Sequence, residues 1–514
     1  MKTIIKSIYN FLGFLALTAA VSSCGNEWLD VVPSDGTDAE SALKTVSDLE
    51  AARTGMYKAL KGDRDFSDYY GCQFFVYGDV HAGDDYQYNY IFGSNRGSFY
   101  YNMQYATASD FGIGVTPWQS PYITIGRANR IIAAVENGTL TDKDDEEAKA
   151  GELQFCAEAR VLRALAHFDL VRVYGKPYTA DNGASLGVPL ITEVLPFGVK
   201  PKRSTVKEVY EQVVKDLNDA ISSNALSQKQ SPGYVNIWGA KAILSRVYLH
   251  MGDYSNALKT AEDVITNSGA SLWKRGQYVD AWSAEKPNES EFLFRLNVTS
   301  SDDANDLNGI GNLQQQSGYR EFVATKKFVD MLSSDAGDVR NDIFETAVPK
   351  KNEEKKVAVF GKNKVYLNKL RGLNGNNRIV PIIPIIRLSE IYLTAAECAF
   401  RTNDKGKAAK YLNALVENRT TTKDALVNAS NVTLDRILVE RRKELIGEGQ
   451  RYFDALRNNE TIVRYTNEKD KGWHKSLAKD AQSFNRDYYK AISAIPQSEC
   501  NANKEIQQNP EYGK

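Results

Sequence analysis

Apolar residues recur at helical spacing along most of the chain, and the helical runs tend to come in pairs. Periodicity begins at about Asp38 and continues to Leu60. Glu147 to Tyr174 is a long helix pattern with Leu153, Cys156, Ala157, Leu165 and Phe168 as its apolar stripe; Gly175 and Pro177 end it. Thr205 to Ile221 is amphipathic, with Ser204 as the expected N-cap and Glu208 following. Val235 to Met251 and Tyr254 to Thr266 predict a helical hairpin about a GDY turn. Its small Ala240 and Ala257, beside large Tyr248 and Tyr254, have the look of a tetratricopeptide unit. Arg387 to Phe400 and Lys405 to Asn418 repeat that plan about a TND turn, and Val432 to Arg457 predicts one last long helical stretch.

Between these pairs lie irregular insertions at roughly 62–120, 175–203, 269–320 and 335–384. They are too long for plain connectors in a compact domain, which makes them candidates for function. The first is the most unusual. Residues 66–105 hold 14 aromatics in 40 positions, interleaved with Gly, Asp, Asn and Ser, against 11% aromatics in the whole chain. Flat rings with polar tips suit ligands that are apolar on one side and hydroxylated elsewhere, a description that fits sugars. In DDYQYNYIF, Tyr86, Tyr88 and Tyr90 alternate, so in an extended segment they share a side, either a solvent-facing platform or a buried face. The candidate ligand residues are therefore Asp84, Tyr86, Tyr88, Tyr90, Phe92, Asn95 and Arg96, with Trp273 from the third insertion.

Composition narrows the classes. At 514 residues the chain exceeds one compact core, so two domains or an extended helical array is expected. Lys plus Arg (64) and Asp plus Glu (65) leave a net charge of −1, which argues against a protein built to grip nucleic acid. Lys2 and Lys6 precede the short apolar run Phe11 to Val21, and Ser22 and Ser23 lead to Cys24. That order predicts a signal segment over residues 1–23 and resembles a bacterial lipoprotein site acylated at Cys24. Cys72, Cys156, Cys398 and Cys500 show no metal spacing, and one disulfide among them is open.

Motifs for catalysis are missing. ERRKELIGEGQRYFDALR, Glu440 to Arg457, sets Glu440, Glu444 and Glu448 at i, i+4 and i+8 among arginines, which predicts a solvated, salt-bridged helix face acting as scaffold. GASLG at Gly183 to Gly187 matches a nucleophile elbow in letters only, because no apolar strand precedes it and Pro189 blocks a following helix. His81, His167, His250 and His474 are scattered; His167 and His250 fall on helix stripes. No catalytic residue, cofactor or metal ligand is assigned. A structural Ca²⁺ at Asp84–Asp85, Asp144–Asp145 or Asp302–Asp303 stays open, without an EF-hand pattern.

A set of ordered stretches then resembles the SusD/RagB family of outer-membrane nutrient-binding lipoproteins. They are WLDVVP, WQSPYITIGRANRII (Trp118 to Ile132), AEARVLRALAHFDLVRVYGKPY (Ala157 to Tyr178), GVPL and RSTVKEVYEQVVKDLNDAI. RLSEIYLTAAE, ERRKELIGEGQRYFDALR and IPQSECNANKEIQQNPEY follow in order. The resemblance implies a mainly α fold: about four tetratricopeptide-like helix pairs with long loops forming the ligand face. It implies one SusD-like domain over 24–514, with an N-terminal part to about 225 and a C-terminal part from about 226. It implies a non-enzymatic protein, lipid-anchored to the outer membrane and facing the exterior. Such a protein takes up oligosaccharides, or peptides as some relatives do, and delivers them to a TonB-dependent SusC-like transporter. Glu27 and Asp30 are the only acids just after Cys24, fewer than surface export in these bacteria commonly uses.

Overall fold

Ten helices among the described residues carry the frame: α1 (Val46–Lys61), α2 (Gln119–Glu136), α3 (Glu146–Tyr174), α4 (Val206–Ser222), α5 (Ile237–Met251), α6 (Tyr254–Asn267), α7 (Leu388–Arg401), α8 (Lys405–Val416), α9 (Leu434–Leu445) and α10 (Arg451–Arg457). They are those of this computed structural model, which describes residues 42–62, 69–111, 117–142, 145–229, 233–282, 288–298, 307–370 and 382–512. The expected signal segment, Cys24, Asp144, Asp302 and Asp303 lie outside the described residues. Most helices start where a side chain accepts an otherwise unpaired backbone N–H: Thr45, Asp145, Thr205, Asn236, Asp253, Asp404 and Thr433. For α4 the cap is Thr205, in a reciprocal box with Glu208, rather than the expected Ser204.

Helices adjacent in sequence are adjacent in space. α1 packs on α2, α2 on α3, α3 on α4, α4 on α5, α5 on α6, α6 on α7 and α7 on α8. This is the mainly α, tetratricopeptide-like array that the pairing predicts. Short strands fill the insertions as antiparallel ladders: β1 (Tyr86–Tyr88) with β5 (Phe322–Ala324), β2 (Leu186–Pro189) with β3 (Arg203–Thr205), β4 (Phe292–Leu296) with β8 (Ile383–Arg387), and β6 (Phe344–Thr346) with β7 (Lys364–Leu367). No helix among the described residues is long and apolar enough to cross a membrane. Cys72, Cys156, Cys398 and Cys500 are all free thiols.

The predicted helix from Val432 to Arg457 is two helices. The chain breaks after Leu445, where Gly447 (φ 78°) and Gly449 (φ 72°) take left-handed backbone. The break lets another segment in: a Cβ on Gly78 would sit 2.0 Å from the Gly449 carbonyl oxygen, so two glycines are needed for this approach.

The i, i+4, i+8 acids do not form a solvated face either. Glu448 lies beyond the end of α9, and Glu440 and Glu444 are buried. Arg387 donates to Glu448 at 2.6 and 2.9 Å, to Glu291 at 2.5 Å and to Glu444 at 3.0 Å. Arg419 donates to Glu444 at 2.9 Å and to Glu291 at 3.0 Å; Arg340 reaches Asp338, Glu440 and Glu444, and Lys369 reaches Glu448 at 2.7 Å. With Arg436 on Glu440 at 2.6 Å, five cations (340, 369, 387, 419, 436) meet five carboxylates (291, 338, 440, 444, 448). Burial pushes the Glu444 carboxyl up, but Arg419 and Arg387 outweigh it and hold it well below its ordinary value. A second set joins α5, α7, α9 and α10: Arg246 to Glu390 at 2.7 Å, Arg441 to Asp454 at 2.6 Å and Arg457 to Glu397 at 2.6 Å.

Replacing Glu444 by Ala removes the carboxylate that three buried arginines share, so chemical unfolding should show a loss of about 3–5 kcal/mol. Removing the exposed pair Lys326–Asp330 should cost less than about 1 kcal/mol. A second outcome concerns pH. Burial lowers all four histidines, His167 to about 4 and His474 to about 3. Between pH 6.5 and 4 the unfolded chain binds protons that the fold refuses, so stability falls as pH drops. Asp79 acts oppositely: burial raises it to about 7, so the fold holds a proton between pH 3.8 and 7 that the unfolded chain releases. Four groups against one predict a lower urea midpoint at about pH 5 than at about pH 7; an equal midpoint would mean that Asp79 balances the histidines.

Candidate functional site

Most of the aromatic block belongs to the main hydrophobic core, packed on α3 and α10. The Tyr69 and Tyr70 hydroxyls donate to Asp169 at 2.7 and 2.6 Å, Tyr77 donates to the Val173 carbonyl at 3.2 Å, and His81 stacks on Tyr452 with centroids 4.2 Å apart. The packing role expected for most of these rings is therefore observed. One tip of the block escapes it.

That tip follows β1. Asn89 N–H continues the ladder by donating to the Glu321 carbonyl at 2.7 Å, and Gly93 N–H turns back to the Asn89 carbonyl at 2.6 Å. The buried Glu321 carboxylate accepts from Ser94 N–H at 2.9 Å and from Arg96 Nη1 at 3.2 Å. Tyr88 Oη accepts from Asn95 N–H at 3.2 Å and lies 3.0 Å from Asn95 Oδ1, in a residue held at φ 77°. Two cation-on-ring stacks flank the turn: the Arg320 guanidinium lies 4.3 Å from the Phe92 centroid, and Arg96 lies 4.5 Å from Tyr319. Arg320 sits at φ 57° and donates to Glu353 at 2.8 and 3.0 Å, while Arg96 Nε donates to Asn308 at 3.0 Å. Tyr90 stays 42% exposed; Asn95 and Arg96 are exposed, and Phe92 is half-buried. One exposed ring, Tyr90, and the exposed Asn95 and Arg96 thus lie within seven residues of a turn braced by Glu321 and Tyr88.

The other sequence candidates point elsewhere. Tyr86 and Tyr88 are buried, because β1 has core on both faces and ends before Tyr90; the alternation is not a solvent-facing platform. The Tyr86 hydroxyl lies 3.4 Å from Gln314 Oε1. Asp84 is buried and accepts from Arg451 at 2.7 Å. Burial raises its carboxyl, yet Arg451 and Arg442 hold it below its ordinary value. Asp85 pairs with Arg442 at 2.5 Å, so arginines already neutralise this acid pair, and the Ca²⁺ considered there has no open carboxylates to bind. Among the described residues no cluster of three or more His, Cys, Asp or Glu is placed to hold a metal. Trp273 is buried at the roof of the ion network, where its backbone N–H donates to Glu291 at 2.6 Å and its carbonyl accepts from Arg419 at 2.8 Å. It is packing, as is Trp282 beside it.

Sequence reasoning missed Tyr319, Arg320 and Asn308. They close the 269–320 insertion, and the signal was a Tyr-Arg pair after Gly318. Two large cavities lie away from the tip and share no residue with it. One of about 670 Å³ runs between Trp118, Tyr122, Ile191 and Ile506; another of about 810 Å³ is lined by Leu43, Ala52, Arg130 and Val194. In the first, Trp118 is buried edge-on against Tyr174, and the Tyr122 hydroxyl already donates to the Pro189 carbonyl at 2.9 Å.

Two family models match the chain, one for the SusD family over residues 346–512 and one described as starch-binding associating with outer membrane over residues 28–249. A crystal structure of a SusD superfamily protein from Bacteroides thetaiotaomicron is 37% identical and superposes with a TM-score of 0.82, covering 91% of this chain and 100% of that one. A SusD-like protein of Bacteroides ovatus is 25% identical over 509 residues, 91% of this chain and 85% of the relative. A SusD-like carbohydrate binding protein from Bacteroides vulgatus shares the fold at 21% identity, with a TM-score of 0.74 over 90% of this chain and 98% of that one.

Burial separates the two tyrosine roles in a measurable way. Tyr86→Ala should lower unfolding stability by about 3–5 kcal/mol through the cavity it leaves. Tyr90→Ala should change it by less than about 0.5 kcal/mol. Equal losses for the two would show that Tyr90 also supports the core.

Proposed function

The chain belongs to the SusD family, and from that membership we propose that it is a non-catalytic receptor that captures oligosaccharides or polysaccharides at the outer membrane. The observation that carries the reading is the tip at Tyr90, Phe92, Asn95 and Arg96, set against Tyr319. An exposed ring beside amide and guanidinium groups suits a ligand with apolar faces and hydroxyl edges. The bracing of Asn95 by Tyr88, and of Ser94 and Arg96 by Glu321, preorganises the turn, which reduces the ordering cost of binding. The starch-binding description of the matching family model and the carbohydrate binding neighbour support the same reading.

Acylation of Cys24 after removal of residues 1–23 anchors the single unit 24–514 to the outer membrane, facing outward. From there it delivers ligand to a TonB-dependent SusC-like transporter. The basic start, the apolar run Phe11 to Val21 and the small residues before Cys24 support the anchor.

Affinity electrophoresis against a panel of polysaccharides tests the ligand. At least one should retard the protein, and Tyr90→Ala combined with Asn95→Ala should weaken that binding about tenfold, equivalent to about 1.4 kcal/mol. Binding of peptide digests with no glycan bound would overturn the reading in favour of a peptide receptor, and release of new reducing ends would overturn its non-catalytic part. For the anchor, Cys24→Ser should move the protein from the membrane to the soluble fraction, with loss of fatty-acid labelling.

A further inference from the structure

Residues 348–364, VPKKNEEKKVAVFGKNK, hold six lysines (350, 351, 355, 356, 362 and 364) against Glu353 and Glu354, a local net of +4 in a chain of net charge −1. All six lysines are exposed. Among the described residues only Lys364 of the six pairs with a carboxylate, Asp342 at 3.2 Å. Many buried arginines, by contrast, are paired with carboxylates, Arg163, Arg246, Arg387, Arg419 and Arg457 among them. A cluster of exposed lysines with a net of +4 raises the local positive potential, which attracts anionic groups.

The segment forms the rim of the Tyr90–Arg96 tip. Glu353 holds Arg320, which covers Phe92. Gln316 Nε2 donates to the Val348 carbonyl at 2.9 Å, on the loop that carries Tyr319. Asn89 Nδ2 donates to the Tyr366 hydroxyl at 3.0 Å, and Ile91 and Phe92 pack into the same small apolar cluster as Val357, Phe360 and Tyr366. The two guanidinium groups of the face are already answered by Glu321 and Glu353, so the free charge available to a ligand belongs to the lysines. Lysine is a mobile point charge on a long stem, suited to anionic groups spaced along a polymer rather than to one fixed bidentate partner.

Resting on the glycan reading above, we infer that the ligand is an anionic polysaccharide, its sugar faces meeting Tyr90 and its carboxylate or sulfate groups meeting the lysine rim. Attraction of this kind extends over a Debye length, about 8 Å at physiological salt, and is screened as salt rises.

The test uses calorimetry on the full processed chain with polygalacturonate, its carboxyl-reduced form, a sulfated galactan and its desulfated form. Titrations are run at about 50 mM and about 500 mM salt. The comparison variant replaces Lys350, Lys351, Lys355 and Lys356 by Gln; all four are exposed, and an unchanged thermal melt confirms folding. The wild type should bind one charged polymer about tenfold tighter than its uncharged derivative, a difference of about 1.4 kcal/mol. That preference should vanish in the variant and at high salt, while affinity for the uncharged derivative stays the same; the polymer preferred identifies carboxylate or sulfate. Equal affinity for charged and uncharged forms, or a preference that survives in the variant, overturns the inference. Binding of uncharged polymers alone overturns it and leaves the glycan receptor standing, whereas binding of no glycan overturns both.

Discussion

The structure depends on charges that α9 carries into the core and that must be paired there. Glu440 and Glu444 turn toward Arg340, Arg387 and Arg419, Arg441 turns toward Glu390 and Asp454, and Arg442 turns toward Asp85. Apolar residues of similar shape would stabilise as well as, or better than, such ion pairs. What the pairs add is a constraint: any packing that separates one partner leaves a buried charge alone, at a cost of several kcal/mol. Because Glu291, Arg340 and Lys369 come from insertions while Glu440 and Glu444 come from α9, with Arg387 at the join of β8 and α7 between them, the constraint fastens loops to frame.

That fastening explains how long loops become a binding surface. Unsupported, an insertion dense in Tyr and Gly would have no fixed shape. Here Asp84 and Asp85 anchor the base of β1 to Arg451 and Arg442, and the ladder with β5 carries the chain outward to Tyr90. Glu321 then braces the turn from the partner strand side. The aromatic block therefore divides by distance from the frame. Near α3 and α10 its rings fill space and donate to buried acceptors, and at the tip they meet solvent beside amide and guanidinium groups.

Charge is partitioned in the same way. Arginine serves the interior, where its planar fork satisfies carboxylates from several elements at once, and stacks on Trp273, Trp282 and Tyr278. Lysine dominates the 348–364 rim, where it stays solvated. The near-zero net charge conceals both facts, since it averages a compensated core with an uncompensated edge.

The amino-acid sequence by itself determined where most of the helices lie, because a 3.6-residue period reports local geometry. Its ordered family stretches likewise determined the mainly α architecture. Only the tertiary structure decided which faces those elements show. Local spacing marked Glu440, Glu444 and Glu448 as one helix face, but Gly78 approaching Gly449 accompanies a break in the helix, and Arg387 and Arg419 take the acids inward. Tyr86, Tyr88 and Tyr90 alternate equally well in the letters, and Trp273 reads equally as platform or packing. Their burial is set by Phe322, Gln314 and Arg419, residues between about 140 and 240 positions away, as Asp85 is set by Arg442, 357 positions on. Periodicity carries no information over such separations; contact does.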